Sequence, residues 1–223
     1  EVIATYFQRN SQLLATYKGN NSGSDLETEL RSFDDYDYSR TSTISDIAIP
    51  ASPGINKRYY YFNQSHSATY NQVFRVGKNG ELGINAAYLN DQDERSNQSV
   101  TTTLLPDGSK NVVDERFNGI LHRNIANGNI TYMQNTERNY IKEQLKFDWL
   151  STDGHSNIYA GEDIAQENNV ENYRLHNLFH LTSRTGSDKG VEFLSKINLE
   201  KRPHSLSVAP NLFPDIIMSE QMF

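Results

Sequence analysis

YIKEQLKFDWLSTDGHSNIYAGED, residues 140–163, alternates apolar and polar residues, meets a turn signal, and alternates again. In 141–150 the odd positions carry Ile141, Glu143, Leu145, Phe147 and Trp149, and the even ones Lys142, Gln144, Lys146, Asp148 and Leu150. Successive side chains of a strand point to opposite faces, so this period of two describes a strand with one greasy and one wet face. Asp153-Gly154 suits a tight turn, and the spacing predicts a hairpin folded there. Neither face reads as a packed core. Glu143 interrupts the apolar one, and the other is built of Lys, Gln and Asp.

The same rhythm runs outward. Residues 173–184 set Tyr173, Leu175, Phe179 and Leu181 against Arg174, His176, His180, Thr182 and Arg184. Residues 191–199 set Val191, Phe193, Ile197 and Leu199 against Glu192, Lys196 and Asn198. Strands are also predicted at 67–77, 81–90, 98–105, 111–123 and 128–138. Turn signals stand between them: Lys78-Asn79-Gly80, whose Asn-Gly pair accepts the positive φ angles of a type I′ turn, then Asp107-Gly108, Asn127-Gly128, Asp153-Gly154 and residues 186–190. No helical period of useful length competes. The expected fold class is all-β, an up-and-down series of antiparallel hairpins.

Composition bounds the function. Of 223 residues only 36% are hydrophobic, and mean hydropathy is -0.71, yet 13 Tyr and 10 Phe argue against a disordered chain. A net charge of -7 without clustered Lys and Arg speaks against a nucleic-acid partner. The absence of Cys removes disulfides, thiol nucleophiles and Cys-based metal sites. No apolar run of roughly 18 residues is present, so no membrane-spanning helix is expected, and residues 1–20 lack the pattern of a signal peptide. Without an initiator Met, and with no closing pattern in NLFPDIIMSEQMF, the chain is expected to be a piece of a longer polypeptide.

Two architectures suit such hairpins: a soluble β-sandwich or small barrel, and part of a large membrane barrel. Cores want few polar interruptions, and here Glu143, Asn177 and Ser195 break the apolar faces. The connections also differ in kind, with tight turns set against expected long polar loops at 20–57 and 90–99. Outer-membrane barrels combine short periplasmic turns, long extracellular loops, and a polar lumen face that alternates with a lipid face.

LLATYKGNNSGSDLETEL (13–30), KRYYYFNQSHSATYNQVFRVGKNGELGINAAYLND (57–91) and NYIKEQLKFDWLSTDGHSNIYAGEDIAQ (139–166) together resemble the barrel region of TonB-dependent outer-membrane receptors from Bacteroidetes. The resemblance rests on strand and turn style, and covers most of the chain. It implies a barrel closed around an N-terminal plug, located in the bacterial outer membrane and taking up a bulky nutrient. It also implies outer-membrane lipid, an energy-coupling inner-membrane complex and a surface lipoprotein as partners. Barrels of such transporters have about 22 strands around a plugged lumen. Residues 1–223 are then one partial β-barrel segment, with no plug or coupling box matched to any stretch.

Candidate sites are few. SFDDYDYSR gathers Asp34, Asp35 and Asp37 with Phe33, Tyr36 and Tyr38. Its carboxylates could hold a hard cation and its tyrosines could stack on a sugar, although an EF-hand's glycine and closing Glu are missing. Asp34, Asp35, Tyr36, Asp37 and Tyr38 are the substrate-binding candidates, with a solvated acidic rim as the plainer reading. His176 and His180 stand i, i+4, but on a strand that is about 13 Å, too far for one metal. KRYYYF at 57–62 reads as interface girdle aromatics. No nucleophile elbow occurs and no base accompanies a nucleophile, so no enzyme, metal or cofactor is expected. The rivals to a transporter are a soluble all-β glycan-binding module and a structural barrel or adhesin.

Overall fold

The computed structural model describes residues 1–21, 62–186, 189–210 and 219–222, with Leu26, Ile47, Gly54, Ile55 and Tyr59 in the long connection between the first two stretches. Its strands are β1 (Val2–Gln8), β2 (Ser11–Asn20), β3 (Phe62–Val76), β4 (Gly80–Leu104), β5 (Lys110–Asn135), β6 (Asn139–Tyr159), β7 (Asp163–Arg184), β8 (Gly190–Ala209) and β9 (Ser219–Met222). They form one sheet in chain order, every ladder antiparallel. Among the described residues β1 and β9 do not meet, so the sheet is open. The all-β, up-and-down arrangement is the one the alternation predicts.

The strands are longer than the hairpin signals suggest. Asp153-Gly154 is no turn: β6 runs straight through it for 21 residues, and the chain reverses at 160–162 instead. Asn127-Gly128 likewise lies inside β5, opposite Ala86 and Ala87. The polar stretch 90–99 is not a loop but the middle of the 25-residue β4. The turn near Asn79 exists, yet its positive φ belongs to Gly77 at 66°, and Gly80 already opens β4. The first two strands carry no turn signal stronger than Arg9-Asn10, and periodicity alone did not single them out.

Connections sort by end. Residues 9–10, 77–79, 136–138 and 185–189 close hairpins tightly at one end. Neighbouring turns there are tied together: Arg75 N–H donates to Asn10 O (2.8 Å), Asn135 N–H to Asn79 O (3.0 Å) and Arg184 N–H to Arg138 O (2.8 Å). At the other end lie the 41-residue connection 21–61 and the short turns 105–109 and 160–162. β4 and β5 rise furthest. Beyond Glu94 on β4 and Arg116 on β5 they pair only with each other, making a free-standing crown.

Candidate functional site

The ladders align side chains into rows, and the rows define two faces. One face carries Phe147, the other Lys146. On the Phe147 face, residues 141–149 of β6 supply Ile141, Leu145, Phe147 and Trp149, and β7 supplies Tyr173, Leu175, Phe179 and Leu181 in register. The band continues through Ile130 on β5, Leu82, Ile84 and Tyr88 on β4, Tyr70 and Phe74 on β3, and Leu13 and Tyr17 on β2. Many of these stay open to the surroundings: Phe147 is 43% exposed, and Leu199 and Val191 on β8 reach 59% and 60%. Soluble monomers rarely leave large contiguous apolar patches uncovered.

The band has a top. Tyr17, Ala68, Tyr88, Ala126, Trp149 and Tyr173 are direct cross-strand neighbours from β2 to β7, so four aromatics share one row. From that row down to Ile141 is eight residue steps, about 27 Å along a strand and about 20 Å at the usual tilt, close to the apolar height of outer-membrane barrels. Above the row the same face turns polar. Asp153 accepts from Asn169 Nδ2 (2.6 Å), Glu171 Oε2 accepts from the Tyr173 hydroxyl (2.6 Å), and Asn124 Oδ1 accepts from Tyr88 and Asn90 (both 2.8 Å).

Two polar interruptions noted in the sequence resolve each other. Asn177 stands opposite Leu145, one row from Glu143, and its Nδ2 donates to Glu143 Oε1. A polar atom facing an apolar medium costs far less when it has a partner, and these two side chains partner within the band.

The Lys146 face behaves inversely. At band level it is largely polar and hydrogen-bonded, with Leu14, Val73, Met133 and Leu194 also exposed on it: Asn85 Nδ2 donates to Asn71 Oδ1 (2.9 Å), Gln144 Nε2 to Asn129 Oδ1 (3.3 Å), and the Thr16 and Thr69 hydroxyls bond at 2.6 Å. His180 Nε2 meets Glu192 Oε1 at 2.8 Å, while His176 pairs with Asn198. Glu200 is shared by Arg174 and Arg202. Above the aromatic row this face gains apolar residues, Leu89, Leu121, Ile125, Leu150 and Val170, and Leu89 and Val170 are buried.

Ile47, from the long connection, seats here. Gly154 makes room for it, since a Cβ at that position would lie 2.7 Å from Ile47 Cδ1 and 3.3 Å from Leu121 Cδ1. The glycine therefore serves a close approach rather than a turn. Beside it, one row across β3, β4 and β5 aligns Ser65, Asp91 and Arg123. Buried Asp91 accepts from the Ser65 hydroxyl and pairs with Arg123 Nη2 at 2.5 Å, and buried Asp93 pairs with Arg95 at 2.7 Å. Burying these carboxylates is tolerable only because each has its cation.

In the crown, Ser109 donates to Asp107 from its hydroxyl (2.6 Å) and its backbone N–H (2.9 Å), which lowers the Asp107 pKa. Asp114 is also lowered, chiefly by the hydrogen bond from Gln98 (2.9 Å) and next by Arg116.

The substrate-binding candidates Asp34, Asp35, Tyr36, Asp37 and Tyr38 lie outside the described residues, as does Phe223. Of the aromatic run 57–62, Tyr59 is described and 72% exposed, and Tyr17, Tyr88, Trp149 and Tyr173 form a separate aromatic row. The sequence did hold a signal for that row: Trp149 and Leu150 are adjacent apolar residues, and the apolar positions change parity between them. Among the described residues no helix is long and apolar enough to cross a membrane, a fact that leaves crossing by strands untouched. Neither the protein-family models nor the curated proteins contain a match to this chain.

Proposed function

We propose that this chain is a stretch of the wall of a large outer-membrane β-barrel, a receptor of the TonB-dependent type that takes up a bulky nutrient. The observation that carries the reading is the apolar band on the Phe147 face, eight residue steps tall, capped by Tyr17, Tyr88, Trp149 and Tyr173. In this reading the band meets lipid, the aromatic row lies at the outer interface, and the tight turns face the periplasm. The hydrogen-bonded Lys146 face lines a wet lumen. Strand lengths support it as well: β4 and β5 run some 15 residues beyond the band, as walls that hold extracellular loops do.

Open sheet edges are not tolerated in hydrocarbon, so β1 and β9 are to be completed by further strands. Uptake, as distinct from a passive wall, is supported by the resemblance of 13–30, 57–91 and 139–166 to the receptor family. Energy coupling to an inner-membrane complex, and docking of a surface lipoprotein, belong to that same reading. No catalytic role is assigned to any residue.

The test uses the full-length gene product in its native envelope. A band that resists alkaline washing and changes gel mobility on boiling supports a closed barrel. Recovery in the soluble fraction without a heat shift overturns the reading in favour of a soluble glycan-binding module. A heat-shifting barrel whose deletion leaves nutrient uptake intact reduces the reading to a structural barrel or adhesin.

A further inference from the structure

The ladder between β2 and β3 ends at Asn20 opposite Ser65, and there the two strands part. β3 continues beside β4 alone, with Gln64 opposite Gln92 and Asn63 opposite Asp93, while the chain leaves β2 through Asn21. The fork opens a cleft of about 510 Å³ whose described lining is Gly19, Asn20, Asn21, Asn63, Gln64 and His66. β1 opens only at Val2, opposite Tyr17, so among the described residues no strand flanks Gly19 on its other side.

The lining selects a chemistry. None of these residues is Asp, Glu, Lys or Arg, so an ion meets no counter-charge, and none is aliphatic, so an apolar ligand gains little. Four of the six are carboxamides, each with an N–H donor and a carbonyl acceptor. A hydroxyl is likewise donor and acceptor at once, so the neighbouring hydroxyls of a sugar ring match such a set. His66 adds a flat ring held in place: its Nδ1 meets the Tyr17 hydroxyl at 2.8 Å, and the two rings stand 22° from parallel with centroids 6.1 Å apart. The C–H face of a sugar packs on such a ring while its hydroxyls reach the amides. An extended peptide pairs along a strand edge and needs no such platform. Asn63 is held as well, buried, with its Nδ2 donating to Ser65 Oγ at 2.7 Å.

By register Gly19 and His66 lie on the Phe147 face in the row next above Tyr17 and Ala68, a row that Asn90 and Asn124 continue. Gln64 and Gln92 form the row above that. Asn20 and Asn63 belong to the opposite face, so the cleft wraps the end of the ladder.

We propose that the cleft at the β2–β3 fork binds a neutral saccharide through Asn20, Asn21, Asn63, Gln64 and His66. The saccharide chemistry rests on the cleft alone. A glycolipid headgroup as its source, rather than a free sugar, rests on the membrane reading above, in which one to two rows above the aromatic row is headgroup level.

The experiment passes fluorescently labelled full-length protein, purified in a detergent without a sugar head, over an array of neutral saccharides, each displayed both on a hydrophilic linker and on a lipid tail. Circular dichroism reports the fold of each variant. Binding to at least one saccharide is expected, and N21A/Q64A, at two exposed positions, weakens it roughly tenfold or more. G19L blocks it without removing an amide, since a Cβ there meets His66 Nδ1 at an ordinary 3.5 Å and the longer side chain fills the cleft. N118A, on β5 and outside the cleft, leaves it unchanged. Binding that survives both cleft variants, or no saccharide bound by the folded wild type, overturns the site. Attachment confined to lipid-tailed spots and indifferent to their sugar also overturns it, because the apolar band alone would give that. Tighter binding to the tailed form of one particular sugar supports the glycolipid source, and equal binding to both forms overturns that source. Should the envelope test fail while N21A/Q64A still lowers binding, the membrane reading falls and the cleft stands. Should the heat shift hold while the cleft variants bind normally, only the cleft falls.

Discussion

Two halves of one strand carry opposite rules. In β6, residues 141–149 put Ile141, Leu145, Phe147 and Trp149 on one face and Lys142, Gln144 and Lys146 on the other. Ten residues further along, the first face holds Ser151, Asp153, His155 and Asn157, and the second holds Leu150, Gly154 and Ile158. The backbone does not change between them; in the proposed barrel the surroundings do. A strand that crosses from an apolar medium into water must exchange its greasy face for a wet one, and the inner side is then free to hold a small core of its own. The inversion repeats in β5, where Ile130 and Tyr132 lie on the Phe147 face but Leu121 and Ile125 lie on the other.

The sharpest way to break this contrast is a charge at the centre of the band. Leu145→Arg in the full-length protein should cost about 2–4 kcal/mol, whereas His155→Arg on the same face above the aromatic row should stay within about 0.5 kcal/mol. Urea-induced loss of the heat-shifted form measures both. Equal effects of the two substitutions would erase the boundary at Trp149.

Next in size is the inner seat. Gly154→Val drives a side chain into Ile47 and Leu121, an overpacking worth about 1–3 kcal/mol in the same unfolding assay. Adding Ile47→Ala should recover most of the loss. A double variant no better than Gly154→Val alone would mean that the glycine is needed for its backbone and not for the room it leaves.

The polar pair within the band sharpens the Phe147 side of the contrast. Glu143→Leu or Asn177→Leu alone strands a partner at about 1–3 kcal/mol, and both together should be nearly neutral, a coupling that a double-mutant cycle reads directly. Additive losses would separate the two side chains.

The smallest effect is expected furthest from the band. The Asp114 carboxyl in the crown is held below its ordinary pKa by Gln98 and Arg116, so it contributes order above the unfolded carboxylate value and loses it as pH falls through the lower folded one. Limited proteolysis of the crown should therefore rise only in acid, and Asp114→Asn should flatten that dependence. Unchanged acid sensitivity in the variant would assign it elsewhere.

Fold class was legible because period two runs clearly through 141–149, 173–184 and 191–199, and the hairpin ends near Asn79, Gly108 and Gly186 were legible because glycine marks them. Strand length was not. At Trp149-Leu150 the apolar positions switch parity, and followed by Asp153-Gly154 that switch reads as two short strands and a turn. In β5 the pair Asn127-Gly128 misleads in the same way. A turn signal reports only what the backbone tolerates; the ladders on both sides of it decide what the backbone does. The candidate residues Asp34 to Tyr38 owe nothing to periodicity, and lie in a stretch where the strand rhythm supplies no register.

Because every ladder joins strands adjacent in the chain, the sheet can be assembled like a zip, one hairpin after another, with little chain to reel in at most steps. One step differs. Docking β2 on β3 must close the 41-residue connection, roughly 2 kcal/mol dearer in chain entropy than a three-residue turn. The six strands from β3 to β8 are thus the natural first unit of assembly, and the β1–β2 hairpin is the piece that joins late.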